Sequence, residues 1–584
     1  MQSQDNLAAG CSNASKNSGD ELAEETITNE TITQIDPSFW DDYEKLDLNE
    51  ERLNRYANEL SSESTSKFTA TPTKSNGRED GSSRSKKRKV IIDRRDRAIS
   101  DALANIDRSK EVDLCYVLDC TSSMSGHIAA AKDCILQVTK HIKDINPSIK
   151  IRVGFCGYRD HCDASRIQLF DFTNSYEKFR KSLTKVPATG GGDPPEDVLG
   201  GLNAAITQLS WHDGTRVLLH VGDYPPHGLR FSSMQDNYPN GDPYGLTAES
   251  VLEKMRSKRI LYFFGKITGY TDEMIRIFRS IIGDFPVFDL VGGDPIQLIN
   301  KFVKATTASI TTSVSLTSTI GCRNSDLYSL RRKLDVNPDV PDWDTLSLQT
   351  GVTLCYYIPK TLTALKNQRS FRKEQLFSRK FCFKIAPLPF SAGIEKYAYY
   401  ALKISNDNPP KQMVMKQYFK TASVNPFEKY LEAVEISAVT TYLCRRFNII
   451  AKRKDICPVN FLGVDLVRVA MTGGTQYYTV EPELQNATFK RFNTNSGIIV
   501  DFHPTLEAFA HFTYEHTRGY LVVCDLQGVE LSGEFLLTDP AIHCIDNLRF
   551  GRTNLGREGI DKCFLANHEC NEICKKLRLK LRSK

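Results

Sequence analysis

Val112-Asp113-Leu114-Cys115-Tyr116-Val117-Leu118 runs straight into Asp119-Cys120-Thr121-Ser122-Ser123. The first seven residues read as a short buried strand, rich in β-branched and aromatic side chains. The next five set one carboxylate and two hydroxyls, Asp119, Thr121 and Ser123, at alternate positions just beyond it. Outward from this point the rhythm repeats. Ile151 to Cys156, Val217 to Val221, Ile260 to Phe264 and Val287 to Leu290 are four further strands, with helical spacing between them, as in Ile128 to Ile142 and Val198 to Leu209. Strand, helix, strand in this order predicts a doubly wound, mostly parallel α/β sheet whose ligand site lies at the carboxyl ends of its strands. The Asp119 cluster falls at such an end, and an all-oxygen donor set suits Mg²⁺ or Mn²⁺. Two more loops should complete it: Thr189 to Asp197, with Thr189 and Asp193 as alternative donors, and Asp223, directly after Val217 to Val221. A blander reading has Thr121 and Ser123 merely capping the next helix. Three loops with fitting donors weigh against it.

Composition bounds the rest. The chain has 584 residues, 40% hydrophobic and 25% charged, with 76 Lys+Arg against 71 Asp+Glu. That near balance argues against a nucleic-acid coat protein, and no nucleic-acid partner is expected. No apolar run approaches the roughly 20 residues of a membrane helix, and no signal-peptide pattern opens the chain. The sixteen scattered cysteines read as reduced thiols, so the expected location is cytoplasmic. Residues 1–108 are Ser/Thr-rich and aliphatic-poor and read as a disordered tail. Within it, the basic cluster at 84–89 is of the kind nuclear import receptors read; solvated linker charge is the blander alternative. The sheet domain is expected over 109–308 and a Thr/Ser-rich linker over 309–344. An α+β domain follows over 345–584.

That last domain lacks H-R-D-x-x-x-x-N, D-F-G and G-x-x-x-x-G-K-[ST], which excludes conventional kinases and P-loop enzymes. The groups that phosphoryl transfer needs are nonetheless there. Met413-Val414-Met415-Lys416-Gln417-Tyr418 sets a Lys in an apolar strand, where a buried ammonium demands an anionic partner. Leu521-Val522-Val523-Cys524-Asp525-Leu526-Gln527-Gly528 is a buried strand that ends in Asp-x-Gln-Gly, and Thr538-Asp539-Pro540 follows it. Two carboxylates and an amide on adjacent loops suit Mg²⁺ and an acceptor hydroxyl.

Two resemblances follow from these motifs. Residues 110–308 resemble the von Willebrand factor A domain, with Asp119, Thr121 and Ser123 on its D-x-S-x-S positions and Asp223 on its later metal-linked Asp. That implies a Mg²⁺-dependent binding module that takes a protein partner's carboxylate. Residues 380–580 resemble the alpha-kinase family, through Glu481-Pro482, Ala508 to Tyr514, Asp525 to Gly528, Leu537 to Pro540, Gly551 to Gly556 and a C-terminal His/Cys cluster. The resemblance implies an ATP-dependent serine/threonine protein kinase. Lys416 would contact the ATP phosphates, and Lys396 stands where the family often has Arg. Glu481 would lie in the hinge strand beside adenine, and Lys490 or Arg491 would add a phosphate contact. Asp525 would be the catalytic Asp, with Gln527 and Asp539 on Mg²⁺. Glu435 falls where a helix Gln is common and is a candidate partner for Lys416. The loop 551–556 would receive the substrate peptide.

His568-Glu569-Cys570-Asn571-Glu572-Ile573-Cys574 places Cys570 and Cys574 four apart on one helical face, with His568 just ahead. His511 fits the family's fourth ligand and completes a closed, structural zinc site. The expected function is therefore transfer of the γ-phosphoryl of Mg·ATP to Ser or Thr of protein substrates, with the A domain recruiting substrate or partner. The alternative from another class is a non-catalytic A-domain scaffold carrying a silent kinase domain.

Overall fold

The strand read first from the sequence, β1 (Glu111–Asp119), lies inside a six-stranded sheet of order β3-β2-β1-β4-β5-β6. Its neighbours are β2 (Lys150–Tyr158), β3 (Ile167–Thr173), β4 (Thr215–Gly222), β5 (Ile260–Lys266) and β6 (Val287–Asp289). All pairings are parallel except β3 on β2. The computed structural model describes residues 81–291, 295–318, 336–393, 396–405, 408–419, 426–471, 474–484 and 488–580, without the side chains of 81–88 and 426. The tail to residue 80 and most side chains of the basic cluster at 84–89 thus lie outside the described residues.

Helices α2 (Ser125–Ile145), α3 (Tyr176–Leu183), α4 (Val198–Gln208), α5 (Ala248–Ser257), α6 (Asp272–Ile282) and α7 (Pro295–Ser318) cover the sheet. They are preceded by α1 (Gly81–Ser109). Strand order reverses between β1 and β4, so Asp119, at the end of β1, and Asp223, just after β4, flank the switch-point crevice.

Two stretches differ from expectation. Residues 309–318, read as linker, continue α7. Ile310 and Val314 keep helical spacing and are fully buried, while Ser309, Thr311 and Thr317 donate to carbonyls four residues back. Hydroxyls satisfied by their own helix can be buried cheaply, which a compositional reading misses. Residues 81–108, read as tail, form α1. Its buried residues Ile91, Arg95, Ile99, Leu103 and Ile106 make a stripe at helical spacing, masked by the surrounding charge.

The C-terminal domain is built on antiparallel strands: β7 (Gln349–Tyr356), β8 (Leu376–Ile385), β9 (Ser391–Ala392), β10 (Lys396–Ile404), β11 (Lys411–Tyr418), β13 (Asp465–Met471) and β14 (Gly474–Pro482). Their order, β11-β14-β13-β7-β8-β10-β9, is closed by a further pairing of β11 with β10, which makes a six-stranded barrel with β9 appended. Phe381, Phe383, Met413, Met415, Val467, Val469 and Val480 fill it. Helix α8 (Pro426–Lys452) crosses to a second lobe. That lobe holds β12 (Val459–Phe461), β15 (Lys490–Arg491), α9 (Pro504–His516), β16 (Leu521–Cys524), β17 (Gln527–Leu531), β18 (Glu534–Thr538), β19 (Ala541–Cys544) and α10 (Glu572–Leu577).

The two domains interlock. Asn146, at the end of α2, donates to the Ile499 carbonyl at 2.7 Å and accepts from its amide at 2.8 Å, and Ile498 is buried in the A-domain core. Helix α1 lies across both domains. Arg95 donates to the carbonyls of Asn547 (3.1 Å), Gly551 (3.3 Å) and Asn554 (2.5 Å), and Ile99, Leu103 and Ile106 pack on Leu555 and Cys563. No helix among the described residues is long and apolar enough to cross a membrane.

One deeply buried imidazole in each domain, His220 and His543, is held neutral by its surroundings. His220 sits between the hydroxyls of Tyr158 (2.8 Å) and Tyr262 (2.7 Å), and burial lowers it to about 3. His543 donates to the Asn495 carbonyl at 2.6 Å and accepts from the Leu555 amide; burial lowers it to about 4. An imidazole in the unfolded chain titrates near 6.5. Below that pH the unfolded chain binds protons that the native one refuses, so stability falls with pH. Each histidine should remove about 1.4 kcal/mol per pH unit until its folded value is reached. Set against His220→Gln and His543→Gln, which cancels the carboxyls that titrate the other way, the parent should lose urea stability relative to each variant as pH falls from 7.5 to 5; an unchanged difference would show that these rings are not held neutral.

Candidate active site

In β11 the side chains alternate. Met413 and Met415 enter the barrel, while Val414 and Lys416 face a cleft of about 840 Å³ between barrel and second lobe. Lys416 pairs across the ladder with Thr479 and Val414 with Glu481, so Lys416 and Glu481 are diagonal neighbours on one face. Their charged ends meet at 2.5 Å, and Lys416 Nζ also lies 2.6 Å from Asp539 Oδ2. Thr538 donates to the Glu481 carboxylate at 2.8 Å. Lys396, from β10, reaches Asp539 Oδ1 at 3.2 Å with its ammonium over the Tyr418 ring. Burial alone would lower Lys416, but Asp539 and Glu481 more than reverse this and keep it charged.

Asp525 faces the same cleft from the turn between β16 and β17, at φ 58°, and Asp539 ends β18 at φ 47°. Both occupy the left-handed region, which Asp tolerates better than most residues. Arg491, next to Gln527 across β15–β17, holds Asp525 Oδ1 through Nε at 3.0 Å and Nη2 at 2.6 Å. Gln527 donates to the Asp539 carbonyl at 3.3 Å. The two carboxyls are driven apart. Burial pushes Asp525 up, and Arg491 recovers only part of the shift. Burial would also raise Asp539, but Lys396 and Lys416 overcome it and hold that carboxyl well below the usual range. Oppositely perturbed acids in one cleft mark a place where one group can handle a proton while the other stays ionised.

The cleft thus gathers Lys396, Lys416, Glu481, Arg491, Asp525, Gln527 and Asp539. Lys490 instead faces Glu530 and Asp501 at the surface. The expected Glu435–Lys416 pair does not form. Glu435 accepts from Arg549 Nε at 2.7 Å, and Arg549, fully buried, also donates to the Leu365 carbonyl and stacks on Phe550, which lines the cleft. Glu435→Ala leaves this guanidinium in the core without its carboxylate, and an unmatched buried charge costs about 3–5 kcal/mol. Urea unfolding checks it; a loss under about 1 kcal/mol would mean the pair is not buried as described.

Behind the cleft, His511 on α9 meets His568, Cys570 and Cys574. His511 Nδ1 is 3.1 Å from His568 Nε2 and 3.7 Å from Cys570 Sγ, and Cys574 Sγ is 3.6 Å from His568 Nε2. All four donor atoms lie within 4.8 Å of one another. Bonds of about 2.0–2.3 Å to a tetrahedral ion imply edges of roughly 3.3–3.8 Å, so the cluster fits one metal ion. The outer ring nitrogens face carboxylates, His511 towards Glu515 at 3.9 Å and His568 towards Glu507 at 3.8 Å, as the second layer of a metal site commonly does.

In the A domain, Asp119 Oδ1 accepts from the Thr121 amide and hydroxyl at 2.8 and 2.7 Å, and the Thr121 and Ser123 hydroxyls are 3.4 Å apart. Asp119 Oδ2 and Asp223 Oδ1 are buried without hydrogen-bond partners, and so is Glu196 Oε2. Burial, with Asp223 nearby, raises Asp119 to about 7. Burial and the surrounding carboxylates raise Glu196 to about 11. Buried carboxylates with unmet oxygens fit a dication. Glu196, from the same 189–197 loop, thus offers the donor that the sequence pattern assigns to Thr189 or Asp193. Thr189 is exposed, and Asp193 accepts from the amide and side chain of Asn237.

The alpha-kinase family description matches residues 391–574, and that of the von Willebrand factor A domain matches 113–213. Alpha-protein kinase vwkA of Dictyostelium discoideum is 29% identical over 520 residues, 85% of this chain and 81% of that protein. Myosin heavy chain kinase B of the same organism is 33% identical over 202 residues, 34% of this chain but only 25% of that one. A solved alpha kinase from Entamoeba histolytica is 29% identical, with 42% of this chain and 95% of the other covered and a TM-score of 0.35.

Proposed function

The chain is a protein kinase of the alpha type joined to a von Willebrand factor A domain, and from that premise we propose that it transfers the γ-phosphoryl of ATP to serine or threonine hydroxyls of proteins. The observation that carries this reading is one cleft in which Lys396 and Lys416 of the barrel face Asp525 and Asp539 of the second lobe, the two carboxyls being perturbed in opposite directions. Lys416 and Lys396 bind and orient nucleotide phosphates, and Arg491 keeps Asp525 aimed into the cleft. Asp525 accepts the proton of the incoming hydroxyl, for which a raised carboxyl is suited. Asp539 and Gln527 would hold Mg²⁺, which when bound offsets charge on the transferred group. Glu481, paired with Lys416, presets that ammonium.

His511, His568, Cys570 and Cys574 would hold a structural zinc, since two thiols and two imidazoles leave no position for water. In the A domain, Asp119, Thr121, Ser123 and Asp223, with Glu196, would hold Mg²⁺ and present it to a carboxylate of a protein partner. A cytoplasmic location fits these roles.

Transfer of labelled phosphate from Mg·ATP to a basic acceptor protein and to the chain itself tests the reading. Incorporation should appear on serine and threonine. Absence of incorporation by folded, metal-replete protein, across several acceptors and with Mn²⁺ also tried, would hand the chain to the scaffold alternative.

A further inference from the structure

Residues 223–247 connect β4 to α5 without a helix or strand of their own, an unusual length for such a connection inside a compact domain. The loop folds back on the sheet at two histidines. His227 is already satisfied there, with Asp160 2.9 Å from Nε2 and Asp236 2.7 Å from Nδ1. The other histidine is different. His161 Nε2 lies 3.8 Å from Asp197 Oδ1 and 3.6 Å from Asp242 Oδ2, too far for hydrogen bonds. All three side chains are almost wholly buried, at 2%, 0% and 3% exposure. Asp242 Oδ2 has no hydrogen-bond partner, whereas Oδ1 accepts from the Tyr244 and Leu246 amides. Two buried carboxylates therefore flank one imidazole nitrogen at distances beyond a hydrogen bond.

We propose that His161, Asp197 and Asp242 bind a transition-metal dication of the zinc or manganese class, at a site separate from the Asp119 centre, which pins the 223–247 loop to the sheet. The three donor atoms lie within 4.8 Å of one another. A triangle of these dimensions surrounds a point about 2.1–2.4 Å from each corner, the range of metal–nitrogen and metal–oxygen bonds. One imidazole with two carboxylates selects zinc or manganese over calcium, which needs six or more oxygens. The remaining donors are already placed. Asp197 Oδ1 caps α4 through the Gly200 amide, and Asp197 Oδ2 takes Arg166 Nη1 at 2.7 Å, so the carboxylate is held in position. Arg166 Nη1 also lies 3.4 Å from His161 Nδ1. A metal on Nε2 leaves the ring proton on Nδ1, so that approach must lengthen while the bond to Asp197 stays. Asp197 directly follows Glu196, whose carboxylate belongs to the Asp119 centre, so a pinned loop steadies that centre's wall.

The test uses the full chain equilibrated with Zn²⁺ and, in parallel, with Mn²⁺, each alone, then desalted and analysed for metal content. The expected result is one more ion per chain in the parent than in Asp242→Asn, with the His/Cys cluster cancelling in the difference. Added metal should raise the A-domain Tm further in the parent than in the variant, in which the Asp119 centre is the remaining site of this domain. Without added metal the variant should melt at or above the parent, because one of two facing carboxylates has been neutralised. Equal metal content in folded parent and variant, with either ion, overturns the proposal. Should Asp242→Asn fail to fold, His161→Gln is read by the same difference, and equality there overturns it likewise.

Discussion

Asp525→Asn is expected to lower kcat for phosphate transfer by about 10²–10⁴-fold with little change in KM for ATP, the range for removing a positioned proton acceptor. Asparagine is the informative replacement. It tolerates the left-handed backbone at φ 58° as well as aspartate does, and it keeps an oxygen for Arg491 to hold. It cannot take the proton. Lys416→Ala is less clean, because it leaves Glu481 and Asp539 buried around a missing cation and compromises folding along with phosphate binding. Steady-state kinetics on both variants, with unfolding curves beside them, separates the two effects. An Asp525→Asn protein with parental kcat would remove Asp525 from its role.

The second large effect concerns the His/Cys cluster. Stripping metal from it should unfold the second lobe of the kinase domain, since structural zinc in small domains is worth on the order of 10–16 kcal/mol of apparent folding free energy at neutral pH. The geometry explains why. His511 lies on α9, Cys574 on α10 and His568 between α10 and the preceding turn, so a bound ion would tie the C-terminal helix to the helix that packs on β16, the strand leading to Asp525. Calorimetry before and after chelation should show a kinase transition that disappears or moves far down, in step with loss of the metal from this cluster. An unchanged transition after complete metal loss would show that the lobe does not depend on it.

Much of this was legible in the sequence because the chemistry is locally written. Lys416 inside an apolar strand, Asp525 at a strand exit and the close-set His568, Cys570 and Cys574 each announce themselves within ten residues, although Cys570 precedes α10 (Glu572–Leu577) rather than sharing a helical face with Cys574. Glu435 was read against the wrong cation because its partner, Arg549, lies 114 positions away and becomes a neighbour only through folding. The His161, Asp197 and Asp242 group has no local spacing at all, since it joins three loops brought together by the sheet. Helix α1 was missed for another reason. Its apolar stripe is thin and its charge dense, so it scores as tail until the surface it covers is known. In α7 the hydroxyl-rich composition hid a buried helix whose polar groups answer to their own backbone.

The barrel carries a consequence for how the chain is made. Strand β7 pairs with β8 on one side and with β13 on the other, and residues 357–464 separate it from that second partner. At ribosomal rates of about 5–20 residues per second, β7 and β8 stand for roughly 5–20 s with one edge unclaimed. The ring closes only when β14 arrives to join β11 to β13. Until then the nascent chain presents an open row of amides and carbonyls beside Phe381 and Phe383, the pattern that invites pairing with another chain. Crowded ribosomes on one message would meet that edge repeatedly. A fragment begun at residue 391, where the alpha-kinase match starts, would inherit the problem permanently: without β7 and β8 the ring has a gap that no later strand can fill.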